Sequence, residues 1–418
     1  MKLKRLEIHN YKSLRNVVIE PAPLSVFVGP NAAGKSNFAD ALDFLSEVYR
    51  WDLEGAVKKK GGYENICFRQ AERAEAIKFR VVLEIEKRPL RKGTGIAPLT
   101  GLLFDHTFEL GTKTNGAGDS FYVPSEDLSV SSLDGPAGEL VLRLARSGEK
   151  YEAELPEHGR ADLKTARLTA DFLTENAPHF VRPGNLFLDA VDVFFPWIGR
   201  FSKGLAALRV FQLSPRSCRQ VGVPSPNADM DRFGGNLPAV IDYLKNNEPD
   251  EFDQLLAAVR RIMPSMESID AGFTYTKTLG LFLKEAGIGN TWTAEDISDG
   301  TIQAIALLTA TFDSRIPILV IEEPENSVHP WAIRNFVQAF RTASKQKQIF
   351  LTTHSPILVD QVRPEELWVV QRPELESKIT PVLELDPSLK QAWGEGKFTL
   401  SEYLDSGAVP EAVPAAGA

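Results

Sequence analysis

A glycine-rich loop near the N-terminus has residue types that bind phosphate. Residues 29–36 read GPNAAGKS and match the pattern G-x-x-x-x-G-K-[ST]. Glycines let backbone N–H groups turn inward around phosphate oxygens. Lys35 would reach the β- and γ-phosphates of a nucleotide, and Ser36 would ligate Mg²⁺. The pattern predicts an ATP site whose contacts come from Gly29, Asn31, Ala33, Gly34, Lys35, Ser36 and Asn37.

The segments on either side of the loop support this prediction. PLSVFVG, residues 23–29, is a short apolar run that indicates a buried strand. SNFADALDFLSEVYR, residues 36–50, places apolar residues at helical spacing. A helix that starts at the loop directs its positive end toward the same phosphate oxygens.

A pair of carboxylates ends a second apolar run. IPILVIEEPENSVHP, residues 316–330, predicts a buried strand that ends in Glu322 and Glu323. A carboxylate at the tip of such a strand beside a phosphate loop suits Mg²⁺, and we assign Glu322 to the metal. The adjacent Glu323 could polarise an attacking water as general base.

Two further motifs fit the same site. ISDGTIQAIALL places Ser298, Asp299 and Gly300 at a predicted helix N-terminus, which would be a second anion site. IFLTTHSP predicts another strand, which ends before His354, and this imidazole could hydrogen-bond a γ-phosphate. We therefore assign catalytic roles to Lys35, Glu323 and His354.

The remaining patterns predict an α/β protein. Strands and helices alternate at both ends of the chain, which indicates a mainly parallel sheet. KLKRLEIHNYKSL near the N-terminus is interpreted as an edge strand, and residues 236–266 predict two helices that separate near Glu248-Pro249. Residues 87–155 are β-rich and residues 160–210 are mostly helical, so a large insertion splits the nucleotide-binding fold.

Composition limits the class of protein. The chain has 418 residues, of which 43% are hydrophobic and 25% charged, as in globular proteins. Its two cysteines show no metal-binding or disulfide pattern, which favours a reducing cytoplasm. The sequence shows no signal peptide and no apolar run of membrane-spanning length, so we expect a cytoplasmic protein without a membrane partner.

The four motifs, in this order, resemble the ATP-binding-cassette ATPase head. The wording SDGT, IEEPENSVHP and TTHSP is similar to the RecF-like, SMC-related ATPases of the AAA_21 group, which also supply the ATPase half of OLD-family nucleases. FGGNLPAVIDYL, residues 233–244, resembles a segment that these proteins carry before the signature helix. Departures are Glu322, where aspartate is commoner, and SDGT, where transporters have SGGQ. Gln70 is a candidate for a glutamine-containing loop that senses Mg²⁺.

The resemblance implies a domain organisation. Residues 1–86 would form the N-terminal half of the ATPase head, and residues 87–232 an inserted lobe. Residues 233–375 would form the helical signature lobe with the C-terminal half of the head. Residues 376–418 would be an extension with a disordered tail, AVPEAVPAAGA.

The resemblance also implies a mechanism. Heads of this kind pair head to tail as an ATP-dependent homodimer, and Ser298 and Gly300 of one subunit close over the ATP held by Lys35 and Ser36 of the other. Asn326 would lie across that interface, and Asn31 would orient water or the γ-phosphate. Hydrolysis would release the dimer.

The target of this ATPase stays open between three alternatives. Residues 57–92 contain eleven lysines and arginines against five glutamates, in a chain of net charge −9, and such a basic face could bind double-stranded DNA. A second alternative is a regulatory scaffold for a separate effector protein, such as a nuclease or toxin in phage defence. The third, a transporter-type ATPase, is disfavoured by the long separation of Ser36 from Ser298.

Overall fold

The computed structural model describes residues 1–68, 75–86, 101–115, 118–133, 139–154, 163–191 and 198–406. The chain divides into two compact units. The first unit contains Met1–Pro21, Asp40–Ala207 and Arg372–Ile379, and the second contains Ala22–Ala39, Leu208–Gln371 and Thr380–Ala418. The predicted disordered tail and Gln70 lie outside the described residues.

The secondary structure is mixed α/β, as predicted. The strands are β1 Lys2–Tyr11, β2 Leu14–Ile19, β3 Leu24–Val28, β4 Ile77–Ile85, β5 Leu102–Asn115, β6 Gly118–Tyr122, β7 Ser125–Ser132, β8 Glu139–Ser147, β9 Lys150–Glu154, β10 Arg209–Phe211, β11 Met266–Phe273, β12 Leu279–Glu285, β13 Trp292–Thr293, β14 Ile318–Glu322, β15 Gln348–Thr353, β16 Leu367–Gln371 and β17 Lys378–Pro381. The α-helices are α1 Lys35–Arg50, α2 Leu53–Lys59, α3 Tyr63–Ile66, α4 Leu163–Phe180, α5 Phe187–Val191, α6 Gly199–Ala206, α7 Pro215–Cys218, α8 Leu237–Asn247, α9 Pro249–Ile262, α10 Asp299–Phe312, α11 Pro330–Ala343, α12 Pro356–Val359, α13 Val382–Leu385, α14 Leu389–Gly394 and α15 Leu400–Asp405.

A parallel sheet forms the centre of the second unit. Its strands pair in the order β10, β14, β15, β3 and β16, and each of these pairs is parallel. Every residue of β14 and β15 is buried. Continuous apolar runs suit parallel strands because helices cover both faces of such a sheet. The three strands predicted at PLSVFVG, PILVIEEPE and QIFLTTHSP are therefore confirmed, together with their parallel arrangement.

The helices of the second unit follow the predicted boundaries closely. α8 ends at Asn247 and α9 begins at Pro249, which confirms the predicted break. Proline favours the first turn of a helix because that position has no intrahelical N–H bond to lose. α10 is buried from Ile302 to Phe312, as expected of a helix that is hydrophobic on all sides.

The first unit contains an antiparallel sheet in the strand order β2, β1, β4, β5, β7, β8 and β9. β1 pairs with β2 on one side and with β4 on the other, so the prediction of an edge strand is wrong. β4 also pairs with β5 from Ile77↔Leu110 to Ile85↔Leu102, so strands from both sides of the predicted boundary between residues 86 and 87 belong to one sheet. The four predicted domain ranges remain predictions.

A three-stranded sheet of β11, β12 and β13 in the second unit was missed by the sequence interpretation. β11 and β12 form an antiparallel hairpin from Ser268↔Lys284 to Phe273↔Leu279. The available signal was the alternation of Leu279, Leu281 and Leu283, which are buried, with less buried neighbours.

Candidate functional site

The predicted nucleotide motifs lie at one edge of the parallel sheet. Glu322 on β14 is level with Thr352 on β15, and Thr353 is level with Val28 on β3. The carboxyl ends of three adjacent strands therefore lie side by side. In open α/β sheets, ligands bind outside the carboxyl ends of the strands. The phosphate-binding loop, Glu323 and His354 each follow one of these strand ends.

The loop between β3 and α1 has a backbone conformation that lets other groups approach its main chain closely. Gly34 has φ of 112°, which favours glycine, and Ala32 also has a positive φ of 62°. A Cβ atom on Gly29 would lie 1.9 Å from the carbonyl oxygen of Val370, so a larger residue cannot fit there without backbone movement. The amide of Phe38 already donates to the Gly34 carbonyl at 2.9 Å, which continues the first turn of α1. The loop and the N-terminus of this 16-residue helix can receive phosphate oxygens.

Lys35 lies over the loop rather than in solvent. Its side chain is buried, and its ammonium donates to the carbonyl oxygens of Gly29 at 2.8 Å and Pro30 at 2.9 Å. Burial lowers the pKa of Lys35 to about 8, although the charges of Glu323 and Glu325 act in the opposite direction.

The other predicted loop residues differ in exposure. Asn31 and Ser36 are exposed, Asn37 is half-buried, and Ala33 and Gly34 are buried. The amide of Ala33 donates to the Pro30 carbonyl at 3.3 Å, which shapes the turn. An exposed hydroxyl in the first turn of α1 is what a shared Mg²⁺ ligand requires.

Glu322, the predicted metal ligand, is held by an arginine. Its side chain is 3% exposed, and its Oε1 accepts a bond of 2.6 Å from Nη2 of Arg232. Sequence interpretation did not identify Arg232, because ninety residues separate it from Glu322. The arginine compensates a carboxylate that would otherwise be buried without a counter-charge.

A magnesium ion shared with a nucleotide fits the donors in this site. Within the described ranges, no group of three or more His, Cys, Asp or Glu side chains could bind a metal alone. Mg²⁺ usually takes one or two protein ligands and completes its shell with phosphates and water. The Ser36 hydroxyl and the Glu322 carboxylate are candidates for those protein ligands.

Glu323 occupies a strained turn immediately after β14. Its φ is 49°, uncommon for a residue with a Cβ atom, and its amide donates to the Thr352 carbonyl at 2.9 Å. The side-chain Nδ2 of Asn326 donates to Oε2 of Glu323 at 2.8 Å, and Nε2 of His354 lies 3.6 Å from Oε1. Strained backbone of this kind is common at functional sites.

His354 follows β15 with its side chain 35% exposed. Burial and the nearby Lys35 ammonium lower its pKa, whereas Glu323 and Glu325 act in the opposite direction. At neutral pH the imidazole is therefore mainly neutral and can donate one hydrogen bond. The structure thus brings Lys35, Glu323 and His354 together, and their catalytic roles remain predictions.

Glu325 is a further charged residue of this site that the sequence interpretation missed. Its Oε1 accepts hydrogen bonds from the Thr353 hydroxyl at 2.6 Å, the His354 amide at 2.9 Å and the Ser355 amide at 3.2 Å. Its position in the motif EEPEN could have identified it as a site residue. Burying a third carboxylate near a strand end costs free energy unless the carboxylate has partners.

The predicted signature residues lie at the N-terminus of α10. Ser298 caps this helix and accepts a bond from the Thr301 amide at 3.2 Å, while Asp299 pairs with Arg219 at 2.6 Å. A Cβ atom on Gly300 would lie 2.7 Å from the Ser327 carbonyl oxygen, so this glycine permits close approach to the turn after Glu323. Ser298 and Asp299 are exposed, and among the described residues no hydrogen bond or ion pair joins them to the phosphate-binding loop of their own chain.

The described part of the predicted basic face is neutralised by acids. Six of its eleven basic residues, Arg69, Arg73, Lys87, Arg88, Arg91 and Lys92, lie outside the described residues. The other five pair as follows: Lys58 with Glu54, Lys59 with Glu47, Lys60 with Asp40 and Asp43, Lys78 with Glu109, and Arg80 with Glu7 and Asp105. These five side chains add little net positive charge for a DNA backbone.

A second cationic surface lies on α11 in the second unit. A groove of about 420 Å³ is lined by Arg334, Val337, Gln338, Arg341, Thr342, Lys345 and Gln361. Arg341 pairs with Glu366 at 2.7 Å. Arg334 and Lys345 are exposed, and the described residues provide no acidic partner for either.

Comparisons with known proteins match most of the chain. A family model described as "AAA domain, putative AbiEii toxin, Type IV TA system" matches residues 24–360. An OLD nuclease from Thermus scotoductus is 24% identical over 392 residues, which cover 88% of this chain. The match covers 62% of the nuclease, so the chain spans less than two thirds of this relative's length.

The fold also matches a solved structure. An SMC head bound to the C-winged helix domain of ScpA aligns with a TM-score of 0.51 and 13% identity, covering 91% of this chain and 97% of the SMC chain. At this identity the match concerns the fold alone, which is that of a P-loop, ABC-type ATPase.

Proposed function

We propose a function for this chain from the premise that it belongs to the AAA_21 family of AAA domains, the family matched over residues 24–360. The protein is an ATPase of the RecF- and SMC-like kind. We propose that it binds ATP with Mg²⁺, dimerises head to tail on ATP, and separates after hydrolysis. The observation that supports this most is the grouping of Lys35, Glu323 and His354 at one sheet edge.

In this mechanism the loop holds the triphosphate. Lys35 exchanges its bonds to the Gly29 and Pro30 carbonyls for bonds to phosphate oxygens. Ser36 and Glu322 would hold Mg²⁺, which would supply positive charge beside the phosphates when it is bound. Glu323 accepts a proton from the attacking water, and His354 donates a hydrogen bond that orients the γ-phosphate.

The second subunit supplies the other face of the site. Ser298 and Asp299 are exposed at the N-terminus of α10, where backbone N–H groups favour an anion. Gly300 lies beside Ser327, in the turn that also contains Asn326. We propose that this surface covers the nucleotide of a second copy, so that ATP is the ligand that stabilises the dimer.

The Glu323→Gln variant tests this proposal. We expect it to bind ATP and remain dimeric with Mg²⁺, because the glutamine cannot take the water's proton. Light scattering after size exclusion would measure the mass with and without ATP. The control is Glu384→Gln, which changes an exposed acid of α13. A variant that stays monomeric at saturating ATP would contradict the dimer model.

The target of the ATPase has two candidates, and the first is DNA. The groove on α11 supports this candidate because Arg334 and Lys345 are available to phosphates. Arginine and lysine contacts to DNA phosphates make the affinity decrease steeply with salt. We propose that the ATP-bound dimer binds double-stranded DNA in genome maintenance.

The alternative target is a separate effector protein. It is supported by the family description, which names a putative toxin, and by the nuclease relative, of which this chain spans 62%. In this alternative the ATPase is a regulatory sensor for a nuclease or toxin on another chain.

No helix among the described residues is long and apolar enough to cross a bilayer.

One titration separates the two targets. Glu323→Gln protein with ATP and Mg²⁺ is titrated with double- and single-stranded DNA over a range of salt concentrations. DNA is favoured as the target if binding requires ATP, weakens with salt and is lost in the Arg334→Glu/Lys345→Glu variant. The effector is favoured if DNA does not change the rate of ATP hydrolysis and one neighbour-encoded protein co-purifies in stoichiometric amount.

A further inference from the structure

Glu325 connects the turn that contains Glu323 to the turn that contains His354. Three donors converge on its Oε1: the Thr353 hydroxyl, the His354 amide and the Ser355 amide, at 2.6, 2.9 and 3.2 Å. Bonds to an ionised acceptor are stronger than bonds between neutral groups. This carboxylate therefore fixes the backbone from which the His354 side chain projects.

A second tether joins the same two turns. The Glu323 amide donates to the Thr352 carbonyl at 2.9 Å, immediately before the residues that Glu325 holds. Within the first turn, the side-chain Nδ2 of Asn326 donates to Oε2 of Glu323 at 2.8 Å. The general base and the imidazole are thus parts of one hydrogen-bonded assembly rather than of two independent loops.

The other oxygen of Glu325 has no hydrogen-bond partner in the described protein. Oε2 is buried, and a buried carboxylate oxygen without a donor is unfavourable. Oε1 of Glu325 is bonded to the His354 amide, and the His354 ring lies 3.6 Å from the Glu323 carboxylate, so Glu325 lies beside the two side chains proposed to act on the γ-phosphate. An acceptor in this position suits a water molecule bound beside the phosphate.

We propose that Glu325 is a positioning residue for ATP hydrolysis: Oε1 holds the His354 turn in register with Glu323, and Oε2 accepts a hydrogen bond from an ordered water beside the terminal phosphate. The inference rests on the hydrolysis proposed above. It assigns Glu325 no proton transfer and no direct contact with ATP.

The Glu325→Gln variant tests the role of Oε2 as a water acceptor. Glutamine can keep one oxygen for the three donors, but it replaces the water-accepting oxygen with an NH₂ group. We expect kcat to decrease at least tenfold, with the ATP dissociation constant within threefold of wild type and an unchanged melting temperature. Glu384→Gln, the exposed control acid, should leave kcat unchanged.

A double-mutant cycle with His354→Ala distinguishes positioning from a general structural effect. If the bonds to Oε1 act through the imidazole, Thr353→Val, which removes one donor, should lower kcat but change it less than twofold once His354 is absent. Glu325→Gln should lower kcat whether or not His354 is present, because the water-accepting oxygen is lost in both backgrounds. Thr353→Val also provides a second test if Glu325→Gln folds poorly. Full additivity of the Thr353→Val and His354→Ala losses, or normal kcat in Glu325→Gln, would refute the proposal.

Failure of the role proposed for Glu325 can be distinguished from failure of the proposed ATPase mechanism. If Glu323→Gln hydrolyses ATP as fast as wild type, the proposed mechanism is wrong whatever Glu325 does. If Glu323→Gln is inactive and Glu325→Gln retains full kcat, only the role of Glu325 is refuted.

Discussion

Nε2 of His354 lies 3.6 Å from Oε1 of Glu323, although the two residues are 31 positions apart in the sequence. The pair forms because β14 and β15 are parallel neighbours with Glu322 level with Thr352. Their carboxyl ends must therefore lie side by side, and the next residue of each strand end enters the same space. Strand register thus positions the proposed general base and the proposed hydrogen-bond donor to the γ-phosphate.

His354→Ala should slow ATP hydrolysis about 100-fold, the usual loss when one donor to a developing negative charge is removed. ATP binding should change less than threefold, because Lys35 and the loop amides hold the triphosphate. Phosphate release and calorimetry measure the two effects separately. An equal loss in binding and turnover would instead indicate that His354 contributes to holding the nucleotide.

ATP affinity should decrease as the pH rises through the pKa of Lys35, about 8. Burial lowers this pKa in the free protein, whereas a bound phosphate would keep the ammonium charged. Binding above pH 8 must therefore include protonation of Lys35, which raises the dissociation constant about fivefold between pH 8 and pH 9. Calorimetry over this range measures the effect.

Lys347 provides the control for this pH dependence. Its pKa is also lowered to about 8 by burial, but its ammonium donates to the Asp313 carbonyl. Lys347→Met should therefore keep the wild-type pH profile of ATP binding. If ATP affinity no longer depends on pH in this variant, Lys347 and not Lys35 is the group that titrates.

Gly29→Ala should abolish ATP binding, because its Cβ atom would lie 1.9 Å from the Val370 carbonyl oxygen. This neighbour is backbone of β16, so the loop rather than a flexible side chain must move. The matched control is Gly394→Ala at the end of α14, where a Cβ atom meets nothing within 4 Å. Calorimetry and thermal unfolding of both variants measure the difference; normal ATP affinity in Gly29→Ala would contradict this prediction.

Arg232→Met should reduce the free energy of unfolding by about 3 kcal/mol, because it leaves the buried Glu322 carboxylate without its counter-charge. Denaturant titration measures this loss. Replacing both residues with methionine should recover most of the stability, since two apolar side chains need no ionic partner. If the double variant is as unstable as Arg232→Met, the loss comes from packing and not from the unpaired charge.

Much of the candidate site is predictable because its motifs are local. The phosphate loop, Glu322-Glu323 and the turn before His354 each consist of consecutive residues that follow an apolar strand. The break at Glu248-Pro249 is local in the same sense, since proline fixes the backbone at its own position. Patterns of this kind can be recognised without knowing which distant segments pack against them.

The errors concern pairings between distant segments. β1 alternates like an edge strand, but whether a partner lies on each side depends on β2 and β4. The pairing of Arg232 with Glu322 and the bonds of Glu325 to the His354 turn likewise join segments that are far apart in sequence. No local pattern identifies these partners.

The sequence by itself determined the family, the α/β class and the residues that could bind phosphate, because backbone conformation at glycines and apolar periodicity are properties of short segments. Only the tertiary structure decided which of those residues meet. Parallel pairing placed Glu323 and His354 together, and the packing of Val370 on Gly29 made the loop glycine necessary. Long-range register sets these distances, and the interactions that stabilise it are spread over whole strands rather than encoded in any one motif.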